Sequence, residues 1–170
     1  MITDGFIKDF KMKMYSEFIT SWTSEINDFD RHPILRTYAL FKTDYRLENY
    51  LLLLPNRSQR ISVACFRCSS HQLRIETGRH VKPKLPPEKR TCQYCNTGEI
   101  DDEMHFLTVC QFHKPERREI FEHLPNDGNR VNDFIRIMTF KDPDIIARTG
   151  RYLHRAFLKR KYSTQSPGNK

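Results

Sequence analysis

Two cysteines, a histidine and a third cysteine fall within nineteen residues, "CQYCNTGEIDDEMHFLTVC" at 92–110. The spacing is Cys92-x2-Cys95-x9-His105-x4-Cys110. A Cys-x2-Cys turn brings its second sulfur back beside the first, and a tetrahedral zinc ion takes four such nitrogen and sulfur ligands. Asn96, Thr97 and Gly98 supply turn residues directly after the pair. This cluster sets the strongest limit on the local fold: whatever surrounds it must bring four side chains to one point. His105 and Cys110 add a geometric demand. Five residues of regular α-helix turn through about 140°, so the helix must end or distort between them if both face one ion. His113 is a rival ligand, three residues past Cys110.

The rest of the cysteine content fits reduced chemistry. The total is five, an odd number, and "MITDGFIKDFKMK" has no apolar core or cleavage site of a secretory signal. Free thiols in the nucleus or cytoplasm are therefore expected rather than disulfides. No apolar run is long enough to span a bilayer, and no membrane association is expected. A fully ligated Cys3His site has no open position for water, so the zinc is expected to be structural rather than catalytic. Cys65 and Cys68, with His71 nearby, have the spacing of half a second site. They are read instead as small apolar residues on the inner face of a helix.

Helical periodicity dominates the chain. Phe6, Phe10, Met14, Phe18, Trp22 and Ile26 recur every fourth residue and predict a helix over 5–29. Such a stripe either packs into a core or docks on a polymerase domain or other protein partner. His32-Pro33 ends it. Further helices are expected at 34–45, at 48–54 and from 57 to about 73, the last with Ile61, Ala64, Cys65, Cys68 and Gln72 inward. An extended basic linker follows at 80–90, then helices at 114–124, 130–140 and about 142–162. Asp142 is placed to cap the last of these. No period-2 pattern longer than a few residues occurs. The expected class is mostly α: a helical domain with a small irregular zinc-knuckle insert and little or no β structure. Its segments are an N-terminal amphipathic helix (1–32), a basic helical segment and linker (33–91), the zinc-binding segment (92–127), C-terminal basic helices (128–162) and a disordered polar tail (163–170).

Charge is unevenly distributed over these segments. The chain totals +8, but 1–32 carries −2, 33–91 carries +8, 92–127 carries −5 and 128–170 carries +7. Basic surfaces attract polyanions, nucleic acid first among them. Arg148, Arg151, Arg155 and Lys159 share one face of the last helix, extended by Arg160 and Lys161, and no acidic residue follows Asp144. With Lys82, Lys84 and Arg90 of the linker they are the expected phosphate contacts. Binding of this kind tolerates sequence and weakens steeply with salt. Tyr94 and Phe106 either stack on bases or pack the knuckle's own small core.

Four segments in order, "LRTYALFKTDYRLENYL", "FRCSSHQLRIETGRH", "CQYC…DDEMHFLTVC" and "ARTGRYLHRAFLKRK", resemble the C-terminal region of invertebrate non-LTR retrotransposon reverse transcriptases. The resemblance spans roughly residues 6–161. It implies zinc on Cys92, Cys95, His105 and Cys110, and a role in holding template RNA or target DNA. It assigns no role to the run Ser69, Ser70, His71, Leu73, Ile75, Glu76, Gly78 and Arg79. The polymerase's Tyr/Phe-x-Asp-Asp pair is absent, there is no apurinic-type endonuclease, and "KDPDII" lacks the later acid that a restriction-like nuclease needs. An enzyme is therefore not expected. The leading expectation is a non-catalytic, zinc-stabilised module that binds RNA or DNA. The alternatives are a protein-interaction module acting through 5–29, or a decayed transposon fragment without cellular role.

Overall fold

A computed structural model describes residues 4–122, 124 and 128–165. The chain is mostly α, and among the described residues the only β pairing is a single antiparallel bridge between Thr91 and Ile100. It divides into two compact units, Met1–Arg46 and Leu47–Lys170.

The first unit is built on helix α1, Asp4–Asn27. A 3-10 turn at Pro33–Leu35 and the short helix α2, Tyr38–Phe41, follow it. The continuous helix expected over 34–45 is not formed: Arg36 and Thr37 keep helical dihedrals but form a turn between the two short pieces, and Lys42 leaves helical geometry at φ −97°, ψ 88°. Tyr45 meets the edges of Phe18 and Trp22, at ring distances of 4.7 and 5.7 Å. Beyond that, the stripe on α1 is not a core. Ile26 alone is buried, while Phe6, Phe10, Met14, Tyr15 and Phe18 are exposed. The packing role expected for this helix is corrected accordingly.

The second unit contains α3 (Asn49–Leu53), α4 (Arg57–Arg67), α5 (Arg74–Thr77), α6 (Lys114–Phe121), α7 (Arg130–Thr139) and α8 (Pro143–Gln165). Their starts follow local chemistry. Asn56 caps α4 by accepting from the Gln59 N–H, and Asn129 caps α7 by accepting from the Val131 and Asn132 N–H groups. Asp142 accepts from the Asp144 and Ile145 N–H groups and caps α8, as the sequence predicts. Of the tail expected to be disordered, Ser163–Gln165 continue α8, and 166–170 lie outside the described residues.

Helix α8 is the spine of this unit, with α4, α6 and α3 packed along it. Its inner face is Ile145, Ile146, Tyr152, Leu153 and Ala156, all buried. A Cβ on Gly150 would lie 2.9 Å from Leu54 Cδ1, so a larger residue would displace that buried side chain. The face assigned to α4 was rotated. Val63 and Phe66 are buried, whereas Ile61 and Cys68 are exposed and Cys65 is half-buried. The buried face also carries a charged residue. Arg67 goes inward with the helix, pairing with Glu48 at 2.8 Å and donating to the Met138 carbonyl at 2.6 Å. Leu51, Leu52 and Leu53 of α3 are exposed, and Leu54 is the residue that enters the core.

At the centre, Phe66 and Phe106 lie 5.8 Å apart and Phe106 stacks on Phe157 at 4.9 Å. The Tyr152 hydroxyl donates to the Phe106 carbonyl at 2.6 Å. This aromatic cluster ties the knuckle segment directly to α8.

Candidate metal centre

The knuckle is a tight loop closed by backbone bonds. The Cys92 N–H donates to the Glu99 carbonyl at 2.8 Å, and the Asp101 N–H to the Arg90 carbonyl at 2.9 Å. Gly98 turns the chain at φ +69°, in the left-handed region that favours glycine. The chain then enters a short helical segment started by Asp102, whose carboxylate accepts the His105 N–H at 2.7 Å.

That segment changes pitch where the metal spacing demands it. His105–Val109 is a π-helical turn, closed by a bond from the Cys110 N–H to the His105 carbonyl at 2.8 Å. A five-residue closure widens the turn, so His105 and Cys110 return to the same side. The distortion expected from the Cys/His spacing is thus a single π turn.

The ligand atoms of Cys92, Cys95, His105 and Cys110 all lie within 4.8 Å of one another. The Cys92 and Cys110 sulfurs are 3.9 Å apart, and Cys95 Sγ is 3.3 Å from His105 Nε2. Zinc bonds of about 2.3 Å to sulfur and 2.0 Å to nitrogen, at tetrahedral angles, separate such donors by roughly 3.5–3.8 Å. Two of the donor pairs are thus near that spacing and the others lie within 4.8 Å, so the four residues could hold one ion. His113 is not part of the cluster. It is fully buried and its Nε2 accepts from Arg160 Nε at 3.0 Å.

The four donors are electrostatically coupled, and an ion would bind them as thiolates and a neutral imidazole, displacing protons. The Cys92–Cys110 contact, reinforced by burial, pushes the Cys92 thiol up to about 12. The same contact pulls Cys110 down to about 7, against the effect of burial. Burial works to lower His105, but the Cys92 sulfur and Glu99 outweigh it and hold the ring at about 9. Glu99 accepts from His105 Nδ1 at 3.3 Å and from Arg130 at 2.5 Å. A carboxylate on the far nitrogen fixes the ring so that Nε2 faces the ion, an arrangement metal-binding histidines commonly use.

Arg160 closes the other side. Its guanidinium lies 3.7 Å from Cys92 Sγ and 3.9 Å from Cys110 Sγ, and pairs with Asp101 at 2.8 Å. It also lies over the rings of Tyr94 and Phe106, 4.4 and 4.7 Å from their centroids. Three thiolates with one divalent ion would sum to −1, and Arg160, itself paired with Asp101, places its guanidinium beside two of the sulfurs. Arg160 was read from sequence as part of an exposed basic stripe. It faces inward because the knuckle, 59 residues away from it at Asp101, presents both sulfur and carboxylate. Tyr94 and Phe106 accordingly pack the knuckle rather than stand free.

The run 69–79 acquires a structural role as the seat of the knuckle. Ser69 Oγ and His71 Nε2 both bind the fully buried Glu103 carboxylate, at 2.7 and 2.9 Å. The Arg74 N–H donates to the Asp101 carboxylate and the Ile75 N–H to its carbonyl. A Cβ on Gly78 would lie 2.7 Å from Arg90 Cγ, so a larger residue would displace that side chain. His71 is thus committed to Glu103, and no second Cys/His cluster forms among the described residues.

The expected phosphate contacts divide into three groups. Lys82 and Lys84 are exposed. Arg90 is buried and donates to the carbonyls of Leu85 and Ile75, so its assignment as a nucleic-acid contact is corrected. The four cations of α8 are engaged by α6. Arg155 pairs with Glu119 at 3.0 Å, Arg151 approaches the same carboxylate at 4.0 Å, and Lys159 binds Glu116 at 2.8 Å. Arg148 donates to the Glu119 carbonyl at 3.3 Å and lies 3.7 Å from Asp144. Beyond Asp144 the helix has no acid of its own, and the rest of the stripe takes its acids from the facing helix.

The fold and site together define a class: a mostly helical chain with a closed Cys3His cluster. No protein-family model, curated protein or solved structure matches this chain. No described helix is long and apolar enough to cross a membrane.

Proposed function

We propose that this chain is a non-catalytic nucleic-acid-binding module whose folded shape depends on one structural zinc. The observation that carries the zinc half is the donor set itself: three cysteine sulfurs and a histidine nitrogen within 4.8 Å of one another, with Glu99 and Arg160 against the ligands from outside. Zinc bound there joins the loop at 92–95 to the π turn at 105–110 and takes no part in hydrolysis, because no coordination position is open.

The nucleic-acid half is supported by the net charge of +8 and by the exposed lysines Lys82 and Lys84. The resemblance to retrotransposon reverse-transcriptase tails agrees with it. Anisotropy of a labelled single-stranded RNA, titrated with the zinc-loaded protein at several salt concentrations, tests it. Affinity is expected to fall by orders of magnitude between low and moderate salt. Binding that is absent at low salt, or indifferent to salt, contradicts the proposal.

A second reading has its own observation. The exposed aromatic face of α1 suits a protein partner better than solvent. Association through that face would hold or strengthen as salt rises, which separates it from phosphate binding.

A further inference from the structure

Next to the metal cluster, between the beginnings of α6 and α7, lies an open cleft of roughly 360 Å³. Four cationic residues line it: Lys114, Arg117 and Arg118 from α6, and Arg130 from α7. Its one lining carboxylate, Asp133, is already paired with Arg136. Two further carboxylates stand beside the cleft. Glu99 holds Arg130, and Glu122 lies 3.9 Å from Arg118 in a solvent-exposed pair. The cations still outnumber the carboxylates. An exposed pair at that distance contributes little and opens readily to another anion.

The cleft is preformed because its floor belongs to the metal centre. Thr108 and Val109 lie in the π turn between His105 and Cys110. Arg117 is buried and donates to the Cys110 carbonyl at 2.9 Å. Arg130 reaches the His105 ring through Glu99. The N–H groups that open α7 are taken by Asn129, so anion binding here is a matter of side chains rather than of a helix end.

We propose that this cleft is a phosphate-binding site, occupied by the backbone phosphate of a single-stranded nucleic acid. This rests on the nucleic-acid reading above and gives it a location. The sequence pointed elsewhere: the segment 92–127 is acidic in sum, yet its three basic residues, Lys114, Arg117 and Arg118, all line this one cleft. The volume is close to the lower end of small-ligand sites, about 300 Å³, enough for a phosphate with part of its sugar. Arginine's planar fork and the lysine ammonium both suit phosphate oxygens.

The test uses the zinc-loaded full chain and a labelled single-stranded RNA, comparing wild type, Lys114→Ala/Arg118→Ala, and Lys141→Ala. Lys114 and Arg118 are exposed, so the fold should survive, and unchanged zinc content with an unchanged circular dichroism spectrum verifies it. Lys141 is an exposed lysine outside the cleft. The double variant is expected to bind about tenfold more weakly, with a log–log salt slope shallower by about 1.4, the value for two lost single-strand phosphate contacts. Lys141→Ala is expected to change affinity less than about twofold. If wild type binds RNA and the two variants bind alike, the cleft is not the site and the nucleic-acid reading stands without it. If wild type binds no RNA, both proposals fail. A parallel titration with inorganic pyrophosphate, followed by NMR of the cleft amides, identifies the source: shifts without any RNA binding would show a small-anion site and overturn the nucleic-acid occupant.

Discussion

At the scale of single residues, Arg160 is the side chain on which most of the knuckle's surroundings converge. It faces two ligand sulfurs, Asp101, His113 and two aromatic rings. Arg160→Ala leaves Asp101 buried without its cation, and removing one partner of such a pair typically costs about 3–5 kcal/mol. Denaturant unfolding of the zinc-loaded variant measures this, and a loss under about 1 kcal/mol would show that Arg160 is not integral to the site. His113 gives a pH signature. Burial, then the charges of Arg160, Lys159 and Arg117, lowers its pKa to about 3 in the folded state. The unfolded ring titrates near its ordinary value of about 6.5. His113 therefore contributes stability that is fully present above about 6.5 and is lost as pH falls toward 3. Ligand protonation releases metal in the same direction. His113→Gln keeps an acceptor for Arg160 and is expected to flatten part of the acid loss, read from unfolding midpoints between pH 7 and pH 4.

The clustering of Cys92, Cys95, His105 and Cys110 was legible in the sequence because such spacing is a local property. The residues that complete the site were not. Asp101 and Arg160 meet across 59 residues, and Glu103 meets His71 across 32. Nothing in periodicity or spacing signals such pairs. The same limit misled the reading of α8, whose cations appear unopposed until Glu116 and Glu119 are placed against them.

At the scale of elements, long periodic helices with recognisable caps were the legible part. Helices α1, α7 and α8 begin and end within about three residues of expectation. Short segments were not, because tertiary contacts outweigh small helix preferences: 34–45 breaks into two turns, and the buried face of α4 includes Arg67. The contrast between α1 and the π turn yields a paired prediction. Phe10→Glu on the exposed face of α1 is expected to shift stability by less than about 0.5 kcal/mol. Leu107→Ala, fully buried in the π turn, is expected to cost about 2–5 kcal/mol. Thermal or denaturant unfolding of the two variants checks both. A large loss at Phe10 would mean that the face is covered in the folded protein.

At the scale of the molecule, the Cys/His cluster spans both ends of the π turn, the π turn contributes Thr108 and Val109 to the lining of the basic cleft, and Arg160 links the cluster to the spine helix α8. The central proposal is that Cys92, Cys95, His105 and Cys110 hold one zinc ion. Native mass spectrometry of the intact protein, for wild type and Cys95→Ala, tests that claim most directly. The account predicts one zinc per wild-type chain and none in the variant. A wild-type chain that retains no zinc when purified with the metal present would contradict it.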